Sequence, residues 1–301
     1  MMENIDTQYA LSILGEDSAM VERLLDGLYT GAGKCDGQLD ASARYSLMAG
    51  GKRVRPSLTL EFCRMLCGDV NRAIEFAAAV EMLHTSTLIH DDMPALDNDE
   101  LRRGKPTNHK VYGEATALLA GDAMAIDAFK VLISNKSLPA DTRLLAVKYL
   151  SEAAGESGVM RGQMIDKYGE SHKLTLDELL TLHAHKTGAL IRVAAQLGVL
   201  AAGFREDSSE MHDAVEYAER IGLAFQIVDD VLDATSTPDA LGKSVGGDAA
   251  LCKNTFLSFY SVDEAESYAA RLTEEAVEHI RKYEGHERLV ALAEFLAVRK
   301  Y

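Results

Sequence analysis

The sequence predicts an all-α protein, a single large bundle of long helices. Apolar residues recur three or four positions apart through most of the chain, and strand-like alternation of any length is missing. Only five prolines are spread over 301 residues, so long helices can run without a break. With 47% of residues apolar, the chain can bury a sizeable core. No Pro-, Gly- or Ser-rich linker, charge block or internal repeat divides it, so residues 1–301 read as one domain.

The helical period marks segments 19–28, 39–48, 57–66 and 73–88, then 115–133, 142–164, 176–202, 210–232 and 264–280. Gly50-Gly51 closes the second of these, and Pro56 suits the first turn of the third. Lys52, Arg53 and Arg55 therefore lie in a tight connection. Segments 97–106 and 234–253 read as loops, each following a group of aspartates.

A formal net charge of -16 argues against nucleic acid as a partner, because phosphate backbones are bound by basic faces. An anionic ligand must meet a local basic cluster or a bound cation. The opening MMENIDTQYA lacks a basic region followed by an apolar run. The most apolar stretch, 189–204, contains Arg192 and Gln196 and is too short to cross a bilayer. The expectation is a cytoplasmic protein without stable membrane insertion. Of the four cysteines, Cys63 and Cys67 share a helix face, but no second pair completes a zinc site. They are expected to be core or partly buried thiols, like Cys35 and Cys252.

The first acidic cluster, Asp91-Asp92-Met93-Pro94-Ala95-Leu96-Asp97, ends the apolar helix EFAAAVEMLHTSTLIH. Crowded carboxylates repel one another unless a cation neutralises them. Pro94 disfavours helix at Met93, so the chain should bend and bring Asp97 round toward Asp91. The second cluster, Asp229-Asp230-Val231-Leu232-Asp233, closes AERIGLAFQIV and puts Asp229 and Asp233 on one helix face. Oxygen ligands without cysteine suit a hard ion, and Mg2+ takes phosphate oxygens as further ligands. Either cluster alone could be a solvated helix end; two at the ends of apolar helices favour metal and diphosphate.

The cations stand where this chemistry needs them: Lys52, Arg53 and Arg55, then Arg102-Arg103 past the first cluster, and Lys243 and Lys253 past the second. His84, seven residues before Asp91, lies on about the same helix face. In this order, GGKRVRP, LIHDDMPALDNDELRRGKPT, GQMID, KTGALI, FQIVDDVLD and LGKSVGGD resemble the trans-isoprenyl diphosphate synthases, the farnesyl and geranylgeranyl diphosphate synthase group. The resemblance runs from about Leu39 to the end of the chain and implies the isoprenoid synthase type of helical bundle around a central cavity.

It also implies roles. Asp91, Asp97 and Asp229 match Mg2+ ligands, with Asp92 and Asp233 supporting them. Lys52, Arg55, His84 and Arg103 match the isopentenyl diphosphate site. Arg102, Lys186, Thr187, Gln226, Lys243 and Lys253 match the groups around the allylic diphosphate, and Gln163 and Asp166 recur nearby. Lys186 by itself would read as a surface lysine. A homodimer is the family's usual assembly.

Breaking an allylic carbon to oxygen bond separates a diphosphate anion from a carbocation, which fixed cations must stabilise in a site closed to water. Isopentenyl diphosphate then attacks, and the resemblance implies that the departing diphosphate takes the lost proton. Lys186, Thr187 and Gln226 are the candidate catalytic residues, the latter two presenting oxygens to the cation. Ser86 and Thr87 lie about one turn, roughly 5 to 8 Å, deeper along the helix. Small residues there leave room for a growing chain and favour geranylgeranyl over farnesyl diphosphate, unless Met48, Met124 or Phe129 forms the floor. A terpene cyclase would not need the second cluster or the Lys52, Arg55, His84 group. A noncatalytic regulatory subunit would be expected to lack aspartates, and a metal phosphohydrolase using His90-Asp91 would need further histidines. An acidic helical binding protein is the remaining alternative.

Overall fold

The computed structural model describes residues 7–31, 37–235 and 254–298. Helices dominate them. In chain order they are α1 (Thr7–Leu25), α2 (Gly37–Leu47), α3 (Val54–Cys67) and α4 (Ile74–Asp91), the last entered through a 3-10 turn at Val70–Ala73. A short antiparallel ribbon follows, β1 (Leu101–Arg102) against β2 (Lys105–Pro106). Then come α5 (Asn108–Tyr112), α6 (Glu114–Ile133), α7 (Ala140–Ala154), α8 (Val159–Gly169) and α9 (Leu176–His183). A π-helical turn, Ala184–Gly188, leads into α10 (Ala189–Ala202) and the long α11 (Ser209–Thr235). After a 3-10 turn at Phe256–Ser258, α12 (Val262–Ile280) and α13 (Glu287–Val298) complete the described chain.

Helices α4 and α10 form the centre. Both are predominantly apolar and bury most of their residues, as central helices must. In α4 the run from Phe76 to Leu83 is buried without interruption, and α4 meets α1, α2, α3, α6 and α10. A second apolar cluster gathers Leu179, Leu182, Ile227, Val231, Phe256 and Leu272 where α9, α11 and α12 meet. The two acidic clusters sit at the C-terminal ends of α4 and α11. No helix among the described residues is long and apolar enough to cross a membrane.

The helical periods were legible; their interruptions were not. The expected segment 142–164 is two helices, because Gly155 turns extended and ends α7, and Gly158, also non-helical, precedes α8. Segment 176–202 carries the π-helical turn, and α1 begins well before residue 19 and stops at Leu25. Capping boxes at Thr175–Glu178 and Ser261–Glu264 start α9 and α12. Cys63 is buried as expected, but Cys67 at the end of α3 is exposed, with the two sulfurs 3.7 Å apart. Cys35 and Cys252 lie outside the described residues.

Candidate active site

After α4 the chain doubles back as Pro94 requires. The Asp97 N–H donates to the Asp91 carbonyl at 2.9 Å, the Asn98 N–H donates to Met93 at 3.1 Å, and Asn98 takes a left-handed φ of 53. Asp97 is thereby returned to Asp91. Burial first pushes the Asp91 carboxyl up to about 6, Lys186 and Arg102 oppose that shift, and Asp97 and Asp166 reinforce it. Residues from four separate parts of the chain thus meet in one electrostatic neighbourhood. Lys167 also belongs here: its ammonium donates to the Leu96 carbonyl at 3.0 Å and lies 4.0 Å from Asp97. Sequence reasoning stopped at GQMID and missed the next residue, although a cation beside crowded carboxylates was the signal to look for.

Asp92 behaves differently from its neighbour. It is buried and paired with Arg102, Nε to Oδ1 at 2.6 Å, while Arg102 also reaches Asp99 at 3.2 Å. Arg102 therefore clamps the acidic loop. Asp92, Arg102, Arg103 and Thr85 line a cleft between α2, α4 and the ribbon.

The cations of the Gly-to-Pro connection divide. Arg53 has a left-handed φ of 49, which turns its side chain inward to Glu81, Glu22 and the Leu47 carbonyl, so it braces the core. Lys52 lies over the Phe295 ring at 5.3 Å. Arg55 reaches the His84 ring, Nη1 to Nε2 at 3.3 Å. Burial first, then Arg55 and Arg103, hold His84 well below the usual imidazole range, so a neutral ring can accept from arginine. Arg103 donates to the Gly50 carbonyl and lies flat against Gly51, where a Cβ would stand 2.6 Å from its guanidinium carbon. The φ of 121 favours glycine at residue 51, and a side chain there would also displace the Arg103 guanidinium. His90 turns the other way, toward the Leu118 carbonyl at 3.3 Å and Asp122 at 3.4 Å, and forms no pair with Asp91 in phosphohydrolase style.

The π-helical turn joins the two clusters. Its Lys186 is ion-paired with Asp166 of α8 and acts on Asp91. Its next residue, Thr187, donates to Gln226 Oε1 of α11 at 3.0 Å, and Gln226 Nε2 donates to Asp230 at 3.2 Å. The wider π turn offsets consecutive side chains from the α-helical register, as such turns do at functional sites. On α11, Asp229 is half-buried and Asp233 exposed, one turn apart as expected, while Asp230 is buried. Lys243 and Lys253 lie outside the described residues. Ser86 and Thr87 are buried in α4, their hydroxyls returned to the carbonyls of Leu83 and His84 at 2.7 and 2.8 Å.

Among the described residues, no three His, Cys, Asp or Glu side chains gather closely enough to hold a metal by themselves. The donor set is hard carboxylate oxygen, which fits Mg2+ arriving with phosphate and water ligands. The elevated Asp91 carboxyl, crowded by Asp97, is the kind of group that a cation would return to its anion.

This arrangement of helices is the all-α isoprenoid synthase fold, and the relatives it matches make the protein a prenyltransferase. Residues 36–294 match the polyprenyl synthetase family, and the chain belongs to it. The geranylgeranyl diphosphate synthase of Cyanophora paradoxa is 46% identical over 261 residues, covering 86% of each chain. A farnesyl diphosphate synthase of Geobacillus stearothermophilus is 41% identical over 267 residues, covering 88% of this chain and 89% of its own. A geranyltransferase of Helicobacter pylori, solved with magnesium and isoprenyl diphosphate, superposes with a TM-score of 0.84 at 32% identity, over 95% of this chain and 97% of its own. The protein is an enzyme of prenyl chain elongation.

Proposed function

We propose that the protein, acting as one domain, condenses isopentenyl diphosphate with an allylic diphosphate, releases diphosphate, and makes geranylgeranyl diphosphate. The observation that carries this reading is the π turn, whose adjacent residues face the two acidic clusters separately: Lys186 acts on Asp91, and Thr187 connects through Gln226 to Asp230. An allylic substrate held there would meet cations at its diphosphate and neutral oxygens at the carbon that becomes cationic.

Asp91, Asp97 and Asp229 would hold Mg2+, with Asp92 and Asp233 in support; bound there, the ion would offset negative charge on the allylic leaving group. Lys186, kept in place by Asp166, adds a cation to the same diphosphate, joined by Arg102, Lys243 and Lys253. Lys52, Arg55, His84 and Arg103 bind isopentenyl diphosphate. Thr187 and Gln226 direct oxygen lone pairs toward the allylic carbon as it becomes cationic. The enclosing helices keep out water, which would capture the cation as an alcohol. The new bond forms from the isopentenyl double bond, and the proton lost goes to the departing diphosphate.

Small side chains at Ser86 and Thr87 and the likeness to a geranylgeranyl diphosphate synthase support the longer product. The Geobacillus relative supports farnesyl diphosphate as the second reading. A homodimer is the expected assembly, since α6 and α7 expose Leu118, Leu119, Ile126, Ile133 and Leu144. Sedimentation of wild type and Ile126→Lys tests it, the variant moving as a monomer.

The decisive assay supplies radiolabelled isopentenyl diphosphate, Mg2+ and each of dimethylallyl, geranyl and farnesyl diphosphates, then separates the dephosphorylated products. A geranylgeranyl product supports the whole reading, and a farnesyl product moves the floor away from Ser86. Absence of Mg2+-dependent condensation sinks it.

A further inference from the structure

The middle aspartate of the second cluster is turned inward, unlike its neighbours. Asp229 and Asp233 share one face of α11, whereas Asp230, about 100° around the helix from Asp229 and about 60° from Asp233, is buried. Both of its oxygens are occupied. Oδ1 accepts the Gln226 amide N–H at 3.2 Å, and Oδ2 accepts the Phe256 backbone N–H at 2.8 Å.

We propose that Asp230 is a positioning residue which fixes the orientation of the Gln226 amide and seats the chain at Phe256, rather than a metal ligand. A carboxylate can only accept, so it demands the NH2 end of Gln226 and leaves the carbonyl end for Thr187. Thr187 occupies that end, its hydroxyl 3.0 Å from Oε1. Removal of the acceptor lets the amide rotate and present N–H groups where a cation must develop. The second oxygen acts on the backbone. Phe256 is wholly buried, stacks on His183 with centroids 5.7 Å apart, and begins the 3-10 turn that precedes α12. Asp230 thereby ties the C-terminal end of α11 to the 3-10 turn at Phe256–Ser258.

The inference rests on the condensation reading and is tested by an exchange of roles. Asp230→Asn and Gln226→Glu each lose their complementary partner. In the double variant the introduced amide NH2 donates to the introduced carboxylate, while the amide carbonyl still accepts from Phe256. Each single variant should lower kcat about tenfold to a hundredfold, as small misplacements at a reacting centre do. The Mg2+ concentration for half-maximal rate should stay at the wild-type value in Asp230→Asn and rise in Asp229→Asn. The double variant should recover most of kcat and of the melting temperature, and the latter is readable even if one single variant folds poorly. A raised Mg2+ requirement in Asp230→Asn, or a double variant no better than the product of the singles, overturns the assignment. Inactivity of the wild type would instead count against the condensation reading, leaving the melting-temperature cycle to judge the relay.

Discussion

Gly162 of α8 lies against the backbone of Lys186: a Cβ at residue 162 would overlap the Lys186 nitrogen and Cα. The two segments meet main chain to main chain, and this sets how far Lys186 stands from Asp166 and Asp91. Gly162→Ala must push the π turn away. Overpacking of this kind costs about 1–3 kcal/mol, and denaturant titration should show it. Condensation should fall further than the loss of folded protein explains, because Lys186 moves with the turn. A variant with wild-type kcat would show that the placement of Lys186 is not critical.

Arg53 and Glu81 form a buried ion pair, both side chains almost wholly enclosed. Glu81→Leu leaves the guanidinium with only the half-exposed Glu22 and a carbonyl, and should destabilise the fold by about 3–5 kcal/mol. Arg53→Met with Glu81→Leu should regain most of that loss. Urea unfolding of the three variants measures it, and a double variant as weak as the single would refute the argument.

Asp17 is wholly buried, 3.3 Å from Arg64 and beside Glu61. Burial first, then Glu61, push its carboxyl up to about 8 despite Arg64 and Arg288. In the unfolded chain it titrates near the usual value of about 3.9. Folding therefore takes up a proton between these values. The stabilisation is fully present below about pH 4 and is lost as pH rises through about 8. Asp17→Asn removes this dependence, so the variant's melting temperature should gain on wild type steadily from about pH 5 to about pH 8. A constant or shrinking difference would contradict the shift.

Ser86→Tyr places an aromatic ring on α4 one turn from Asp91. The product should shorten from geranylgeranyl to farnesyl diphosphate, read by chromatography after dephosphorylation. An unchanged product would assign the floor of the chain pocket to another side chain.

Mg2+ and inorganic diphosphate together should raise the melting temperature, while either alone does little, because the carboxylates need phosphate oxygens to complete the ion's shell. At one hundred times the dissociation constant the gain is about 2.7 kcal/mol. Equal shifts with EDTA in place of Mg2+ would remove the metal from the account.

Local chemistry made much of the site legible. Pro94 announced the bend that returns Asp97 to Asp91, and helix periodicity placed Asp229 one turn from Asp233. Gly50-Gly51 marked the connection carrying Lys52 and Arg53, but Arg55, expected in that connection, stands in the first turn of α3, which begins at Val54, two residues before Pro56. These depend on residues a few positions apart, where steric limits and the 3.6-residue period act directly. What the sequence could not decide is which charge faces which. Arg53 and Arg55 look alike in GGKRVRP, yet a left-handed φ sends the first to Glu81 in the core while the second reaches His84. Asp229 and Asp230 are likewise equal in a motif, and only the packing of Phe256 and Gln226 turns one of them inward. Such choices are made chiefly by partners far apart in the chain, Glu81 for Arg53 and Phe256 for Asp230. A buried charge is tolerated only where another element supplies its counterpart, so tertiary structure alone determines which of two adjacent charges serves the site and which holds the fold.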